Sequence, residues 1–254
     1  MNKEKIQPLS KEILGPKAST AWAWALWQGV RARLRPEISD QDLENIRLAN
    51  EALTETSIIA IGYHPGKIEA VIMPIFIRRY FTKLNRLIGP IAAYQYHQTI
   101  PRVWAGVSSS TLRTHFLPVV RENNPKDAHL LEHQRPYRKR LFYHTKENIL
   151  KQPSNMYGVV PGGTRDEMLP PPSEVNTSFV RMNRDESALY VPMAFVKDGN
   201  QNKIRVGPPS SLSDIPEAGS SRAEVALHQA TWLMNQLALL LPEENRGTYP
   251  ILIN

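Results

Sequence analysis

The chain has 254 residues, a formal net charge of +7 with its histidines neutral, and no cysteine. A chain of that length can bury a core in one large domain or in one domain with an appendage, and its basic excess favours anionic partners without choosing among phosphate-bearing substrates, acidic carrier proteins, lipid headgroups and nucleic acid. The lack of cysteine excludes a disulfide framework, a thiolate nucleophile and a cysteine-based zinc site.

In chain order, residues 1–17 have no apolar core of the secretory type, and no unbroken apolar stretch is long enough to cross a bilayer as a helix. The expectation is a protein that is soluble or lies on a membrane. Thr20-Ala21-Trp22-Ala23-Trp24-Ala25-Leu26-Trp27 then runs into Arg31, Arg33 and Arg35. Two readings fit: an interfacial helix at headgroup depth, or a helix whose tryptophans cover a core while its arginines face water. Pro36 stops the segment. Ser39-Asp40-Gln41-Asp42 is a helix-start signature, and Leu43, Ile46 and Leu53 form an apolar stripe at helical spacing. Residues 1–54 are therefore expected to be a helical amino-terminal portion containing the candidate membrane-interface segment, and residues 55–254 an α/β domain.

The apolar run Ser57-Ile58-Ile59-Ala60-Ile61 precedes Gly62-Tyr63-His64-Pro65-Gly66, and residues 67–80 are helix-compatible. This reads as strand, tight turn, helix. Turns at the carboxyl ends of strands in open α/β sheets are where ligands usually sit, so His64 is a candidate base, with Glu69 its natural partner. Five residues on a regular helix would separate the two side chains by about 140°, so the turn, not helical spacing, must bring them together. The structural alternative is a capping histidine and a solvated first-turn acid.

Farther on, Arg78, Arg79, Lys83 and Arg86 interleave with Tyr80, Phe81, Leu84 and Leu87, followed by Tyr94, Tyr96 and His97. The mixture fits a solvated helix face, or a surface tracking a nucleic acid or a membrane. Ser108-Ser109-Ser110-Thr111 is a turn or an N-cap cluster. Residues 116–121 read as a short buried strand ending in Arg121, and Arg135, Arg138, Lys139 and Arg140 form the densest basic cluster, either a solvated loop or a docking patch. Asn155-Met156-Tyr157-Gly158-Val159-Val160 leads into Pro161-Gly162-Gly163-Thr164-Arg165, again strand and glycine turn. Two glycines let backbone N–H groups approach an anion, and Thr164 and Arg165 add a hydroxyl and a two-pronged cation. A proline-rich loop at 169–173, strands at 190–195 and 203–207, a polar loop at 208–219 and a last helix at 222–241 complete the pattern. The expected class is α/β, a central mixed and largely parallel sheet with flanking helices, preceded by the helical amino-terminal portion.

Taken together, these turns resemble the motifs of the glycerolipid acyltransferase family, which includes the lysophosphatidic acid and glycerol-3-phosphate acyltransferases. The family's first motif, His, four residues, then Asp, is matched by His64 and Glu69. Its second, a strand ending in Arg, resembles 116–121. Its third, Pro-Glu-Gly-Thr-Arg, resembles Pro161-Gly162-Gly163-Thr164-Arg165, and its fourth, an apolar strand with a central proline, resembles Tyr190-Val191-Pro192-Met193-Ala194-Phe195. Leu241-Pro242-Glu243-Glu244-Asn245-Arg246-Gly247-Thr248-Tyr249 is like the family's closing segment. Two departures stand out: Glu69 replaces the family's aspartate, and Gly162 its third-motif glutamate.

The resemblance implies transfer of an acyl group from an acyl thioester, on coenzyme A or an acyl carrier protein, to a hydroxyl of a glycerophosphate or lysophospholipid acceptor. His64 is then the general base and Glu69 its orienting acid, as in a hydrolase triad with the substrate hydroxyl in place of serine. Arg121 and Arg165 hold the acceptor phosphate, with Gly162, Gly163 and Thr164 lining its site. No metal and no resident cofactor is expected, nor a nucleic acid partner. The expected location is the cytoplasm or the cytoplasmic face of a membrane. Other enzyme classes fit worse. Gly106-Val107-Ser108-Ser109-Ser110 lacks the second glycine of a hydrolase elbow, and His129 and His133 lack a His-Glu-x-x-His frame. A relative without turnover, binding anionic lipid or nucleic acid through its basic surface, is the non-enzymatic alternative.

Overall fold

The computed structural model describes residues 20–63, 69–92, 114–119, 142–143, 145–161, 168–216 and 218–249. Among the described residues two helices come first, α1 (Thr20–Leu34) and α2 (Asp40–Ala52). Strand β1 (Ser57–Tyr63) is followed by α3 (Glu69–Tyr80), β2 (Arg86–Ala92), β3 (Thr114–Val119) and β4 (Asn155–Val159). A short helix α4 (Ser178–Met182) leads into the hairpin of β5 (Ala188–Asp198) and β6 (Gln201–Val206), and α5 (Arg222–Ala238) closes the fold.

The six strands form one sheet in the order β3-β2-β4-β1-β5-β6. The first five are parallel to their neighbours and β6 runs antiparallel to β5, which makes the mixed, mostly parallel sheet with flanking helices expected from the sequence. Because side chains alternate along a strand, a parallel strand covered on both faces must be apolar at nearly every position. β1 meets that demand. Ile59, Ile61 and Tyr63 join the apolar layer that contains Phe179 and Val180 of α4 and Ala230, Leu233 and Leu237 of α5. Ile58 and Ala60 join the opposite layer, with Trp27 of α1, Ile46 and Ala49 of α2, and Ile72, Ile75 and Phe76 of α3.

The amino-terminal helices belong to that second layer and also close the edge of the sheet. The backbone of Glu37 pairs with β6, donating to Asn202 O at 2.9 Å and accepting from Ile204 N at 2.9 Å. Val206 N donates to Asp42 Oδ1 at 2.8 Å, and Asn45 Nδ2 donates to Val206 O at 2.7 Å. An edge strand with unpaired N–H and C=O groups is a template for misassociation, and this one is covered. The same contacts correct the predicted stripe of α2. Ile46 and Leu53 are buried as expected, but Leu43 is 42% exposed while Asp42 and Asn45 are buried. Satisfying the edge backbone of β6 takes precedence there over burying one more leucine. The helix start is the predicted one, a capping box between Ser39 and Asp42.

The stretch from Arg78 onward is also corrected. Helix α3 ends at Tyr80, and Arg86–Ala92 is an interior parallel strand, not a solvated helix face. Phe81, Leu84, Leu87 and Ile88 are buried. Arg78 caps the turn between helix and strand, donating to Leu84 O at 2.9 Å and Asn85 O at 3.0 Å. The basic residues serve the connection, and the apolar ones between them the core. Tyr94, Tyr96, His97 and the basic cluster at 135–140 lie outside the described residues.

Candidate active site

The rim formed by the carboxyl ends of the parallel strands positions the candidate site. β1 and β4 are neighbours, with Ile61 opposite Val159. The described chain runs two residues beyond that pair on each side, to Tyr63 and to Pro161, the last described residues before segments 64–68 and 162–167. The two strand ends are neighbours there: a Cβ built on Gly62 would lie at ordinary contact distances, 3.4 Å from Val159 O and 3.8 Å from Val160 Cγ2.

From that point the two chains part. After β1 the chain resumes as α3, which packs on the layer containing Trp27 and Phe76. After β4 it resumes at Met168, and Leu169 belongs to the opposite layer with Val175 and Phe179. Adjacent parallel strands whose continuations leave for opposite faces make a switch point, the place in an open α/β sheet where the rim opens into a crevice. Ile91 and Ala92 of β2 lie opposite Pro118 and Val119 of β3, so all four strands end at nearly one level. At about 4.8 Å per strand spacing, the end of β3 lies about 10 Å from that of β4 and about 14 Å from that of β1.

Of the predicted site residues, Glu69 is the first residue of α3, where the amino-terminal end of the helix dipole favours a carboxylate. His64, Arg121, Gly162, Gly163, Thr164 and Arg165 lie outside the described residues, as do His129 and His133. The structure does give the strands from which their segments depart. The segment holding His64 leaves β1, that holding Gly162 to Arg165 leaves the adjacent β4, and Arg121 follows β3, two strands beyond β4.

Beneath the rim the sheet is apolar. Tyr157, level with Ile59 and Ile88, is buried, and loss of hydration pushes its phenol up to about 12, which keeps it neutral at physiological pH. Tyr190 of β5 is likewise shifted upward by burial, its hydroxyl donating to Phe179 O at 3.4 Å. Neither phenol is a base at neutral pH. Among the described residues no group of three or more His, Asp or Glu side chains is arranged to hold a metal ion.

The returning end of segment 162–167 has an anchor that motif reading did not assign. Leu169 N donates to Asn245 O at 3.0 Å, and Pro161 O accepts from Asn176 N at 3.1 Å. The signal available in the sequence was Gly247, a glycine shortly beyond the last helix.

Trp27 is 1% exposed and packs against Phe76 and Tyr80, with ring centroids at 5.8 and 5.4 Å. Trp24 is 53% exposed. α1 runs from the carboxyl-terminal half of α3 toward the β5–β6 hairpin, where Leu34 O accepts from Asn202 Nδ2 at 2.7 Å. Among the described residues no helix is long and apolar enough to cross a membrane. Compared with known proteins, the sequence matches no family model and no curated protein.

Proposed function

We propose that the protein is an O-acyltransferase that moves a fatty acyl group from an acyl thioester to a hydroxyl of a glycerophosphate-type acceptor, in phospholipid synthesis or remodelling. One observation carries this reading. The segment with His64 and the segment with Gly162 to Arg165 depart from level ends of neighbouring parallel strands, at a switch point of the sheet. A base and an anion-holding turn rooted one strand spacing apart can act on one acceptor molecule.

In this reaction His64 takes the proton of the acceptor hydroxyl as its oxygen attacks the thioester carbonyl. The tetrahedral intermediate collapses, the C–S bond breaks, and the proton passes to the departing thiolate, so that thioester and alcohol become ester and thiol. Glu69, in the first turn of α3, sets the imidazole tautomer and offsets the imidazolium charge. Arg121 and Arg165 hold the acceptor phosphate beside Gly162, Gly163 and Thr164. The acyl donor, on coenzyme A or an acyl carrier protein, is a substrate, and no resident cofactor takes part. The net charge of +7, with Trp24 exposed on the same helix as Arg31 and Arg33, supports peripheral attachment to the cytoplasmic face of a membrane.

The test supplies an acyl thioester with glycerol-3-phosphate, lysophosphatidate or a neutral alcohol and measures ester formed. Wild type forms ester with a phosphate-bearing acceptor, and His64→Ala lowers kcat by about 10²- to 10⁴-fold, the usual share of a general base. Glu69→Asp, which restores the family's shorter acid, retains turnover. A wild type that esterifies none of these acceptors but binds anionic vesicles or nucleic acid in a salt-dependent manner would instead establish the non-catalytic alternative.

A further inference from the structure

The closing segment crosses over the residue at which the chain returns from the third motif. Gly247 has φ +64°, the left-handed region that favours glycine, and a Cβ built on it would lie 2.5 Å from Leu169 O. Two residues earlier, Asn245 O accepts the Leu169 N–H at 3.0 Å. Leu169 is thus gripped on both polar groups of its backbone, by a hydrogen bond on one side and a van der Waals contact with room only for hydrogen on the other. The grip is itself fixed. Asn245 closes a short helical turn, Arg246 Nε donates to Leu241 O at 2.9 Å, and Leu241 and Tyr249 are buried in the same apolar layer as Leu169. The leading end is held separately, through Asn176 N and Pro161 O.

We infer that Asn245, Arg246 and Gly247 form a strap that positions the acceptor-phosphate side of the site by fixing Leu169, and that residue 247 must be glycine for this reason. The functional consequence rests on the acyl-transfer reading; the strap does not. Pro161 and Leu169 flank the segment that carries Gly162 to Arg165, and an acceptor site displaced by about 1 Å loses much of its effect. These are positioning residues, acting through Leu169 and touching no substrate.

The test uses Gly247→Ala in the full chain, with two readouts. Amide exchange at Leu169 should quicken at least tenfold while exchange in β1 is unchanged, because the added methyl group displaces Leu169 from Asn245 O. The KM for the phosphate-bearing acceptor should rise about tenfold with the donor KM unaltered, a split that general loss of folded enzyme cannot give. Gly247→Asn, which tolerates a left-handed φ but keeps the Cβ, should behave like the alanine variant, and this assigns the effect to the contact with Leu169. If Gly247→Ala does not fold, Arg246→Met, which releases Leu241 O without adding bulk at 247, should shift both readouts in the same direction by a smaller factor. A folded variant with unchanged Leu169 exchange overturns the strap, whatever the activity. Quickened exchange in a protein that forms no ester leaves the strap standing and removes the acyl-transfer reading. Quickened exchange with an unchanged acceptor KM overturns the positioning role.

Discussion

Replacing Trp27 by alanine tests whether α1 is part of the core or a separate surface device. The indole is 1% exposed and sits between the rings of Phe76 and Tyr80. Burying about 200 Å² of aromatic surface at ~25 cal/mol/Å² stabilises the fold by about 5 kcal/mol, an upper bound because the unfolded chain is itself partly collapsed. The ring pairs add about 1 kcal/mol. Against this, the indole N–H is buried with no partner among the described residues, which costs about 1–3 kcal/mol. The net expectation for Trp27→Ala is a loss of about 4 kcal/mol, within the ~3–5 kcal/mol range for deleting a large aromatic side chain from a core. With a urea m-value of about 3 kcal/mol/M, the unfolding midpoint falls by about 1.3 M. Trp24→Ala, at a position 53% exposed, should change stability by less than about 0.5 kcal/mol. Trp27→Phe should cost only about 1 kcal/mol, because it keeps much of the area and removes the orphan donor. Urea unfolding followed by circular dichroism measures all three. Two alanine variants within about 1 kcal/mol of each other, on the scale set by those core losses, would refute the packing of α1 against α3.

Three further outcomes follow from packing and electrostatics. Asp42→Ala removes the acceptor of Ser39 N, the reciprocal half of the capping box, and of Val206 N, while Ser39 Oγ still accepts from the backbone N of residue 42, so thermal unfolding should show a loss of about 2 kcal/mol, chiefly from the stranded buried donor; a change under 1 kcal/mol contradicts this. Gly207→Ala puts a methyl group 2.5 Å from Cγ of Pro192, a ring that cannot swing aside, and should cost about 1–3 kcal/mol by the same measurement, whereas Gly29→Ala, with nothing within 4 Å on an exposed turn of α1, should raise stability by about 0.5–1 kcal/mol. Burial raises the folded pKa of Tyr157 to about 12, so its contribution is fully present below the ordinary phenol value and is lost as pH rises from about 10 to 12, the unfolded chain then holding fewer protons. Stability should therefore fall in that window by about 1.4 kcal/mol per pH unit for this residue. Tyr157→Phe should flatten the fall, and an unchanged slope in alkaline denaturation would show that the phenol is not held neutral.

Much of the fold was legible because its signals are local. A run of β-branched residues between a capped helix and a Gly-Pro turn can hardly be anything but a buried strand, and β1 is found where the run ends in Tyr63. Asp40–Ala52 starts at its predicted cap, and Arg222–Ala238 follows a serine cap with a matching glutamate. What misled was residues 86–92. Arg86 and the cations before it carry the pattern of a solvated face, but Arg78 spends its guanidinium on the carbonyls of Leu84 and Asn85, a bond that no spacing rule announces. Leu43 misled for a similar reason, since the need for Asp42 and Asn45 at the β6 edge arises only once β6 is there.

By itself the sequence determined the α/β class and the type of most elements, residues 86–92 excepted, since each depends on side-chain periodicity and backbone preference within a dozen residues. Only the tertiary structure decided that β1 and β4, separated by almost a hundred residues of chain, lie side by side with their ends level. It likewise decided which tryptophan is core, and that the segment after the last helix grips Leu169. Those facts depend on strand order and on which face each connection covers, and such choices are made by whole layers of apolar surface meeting at once.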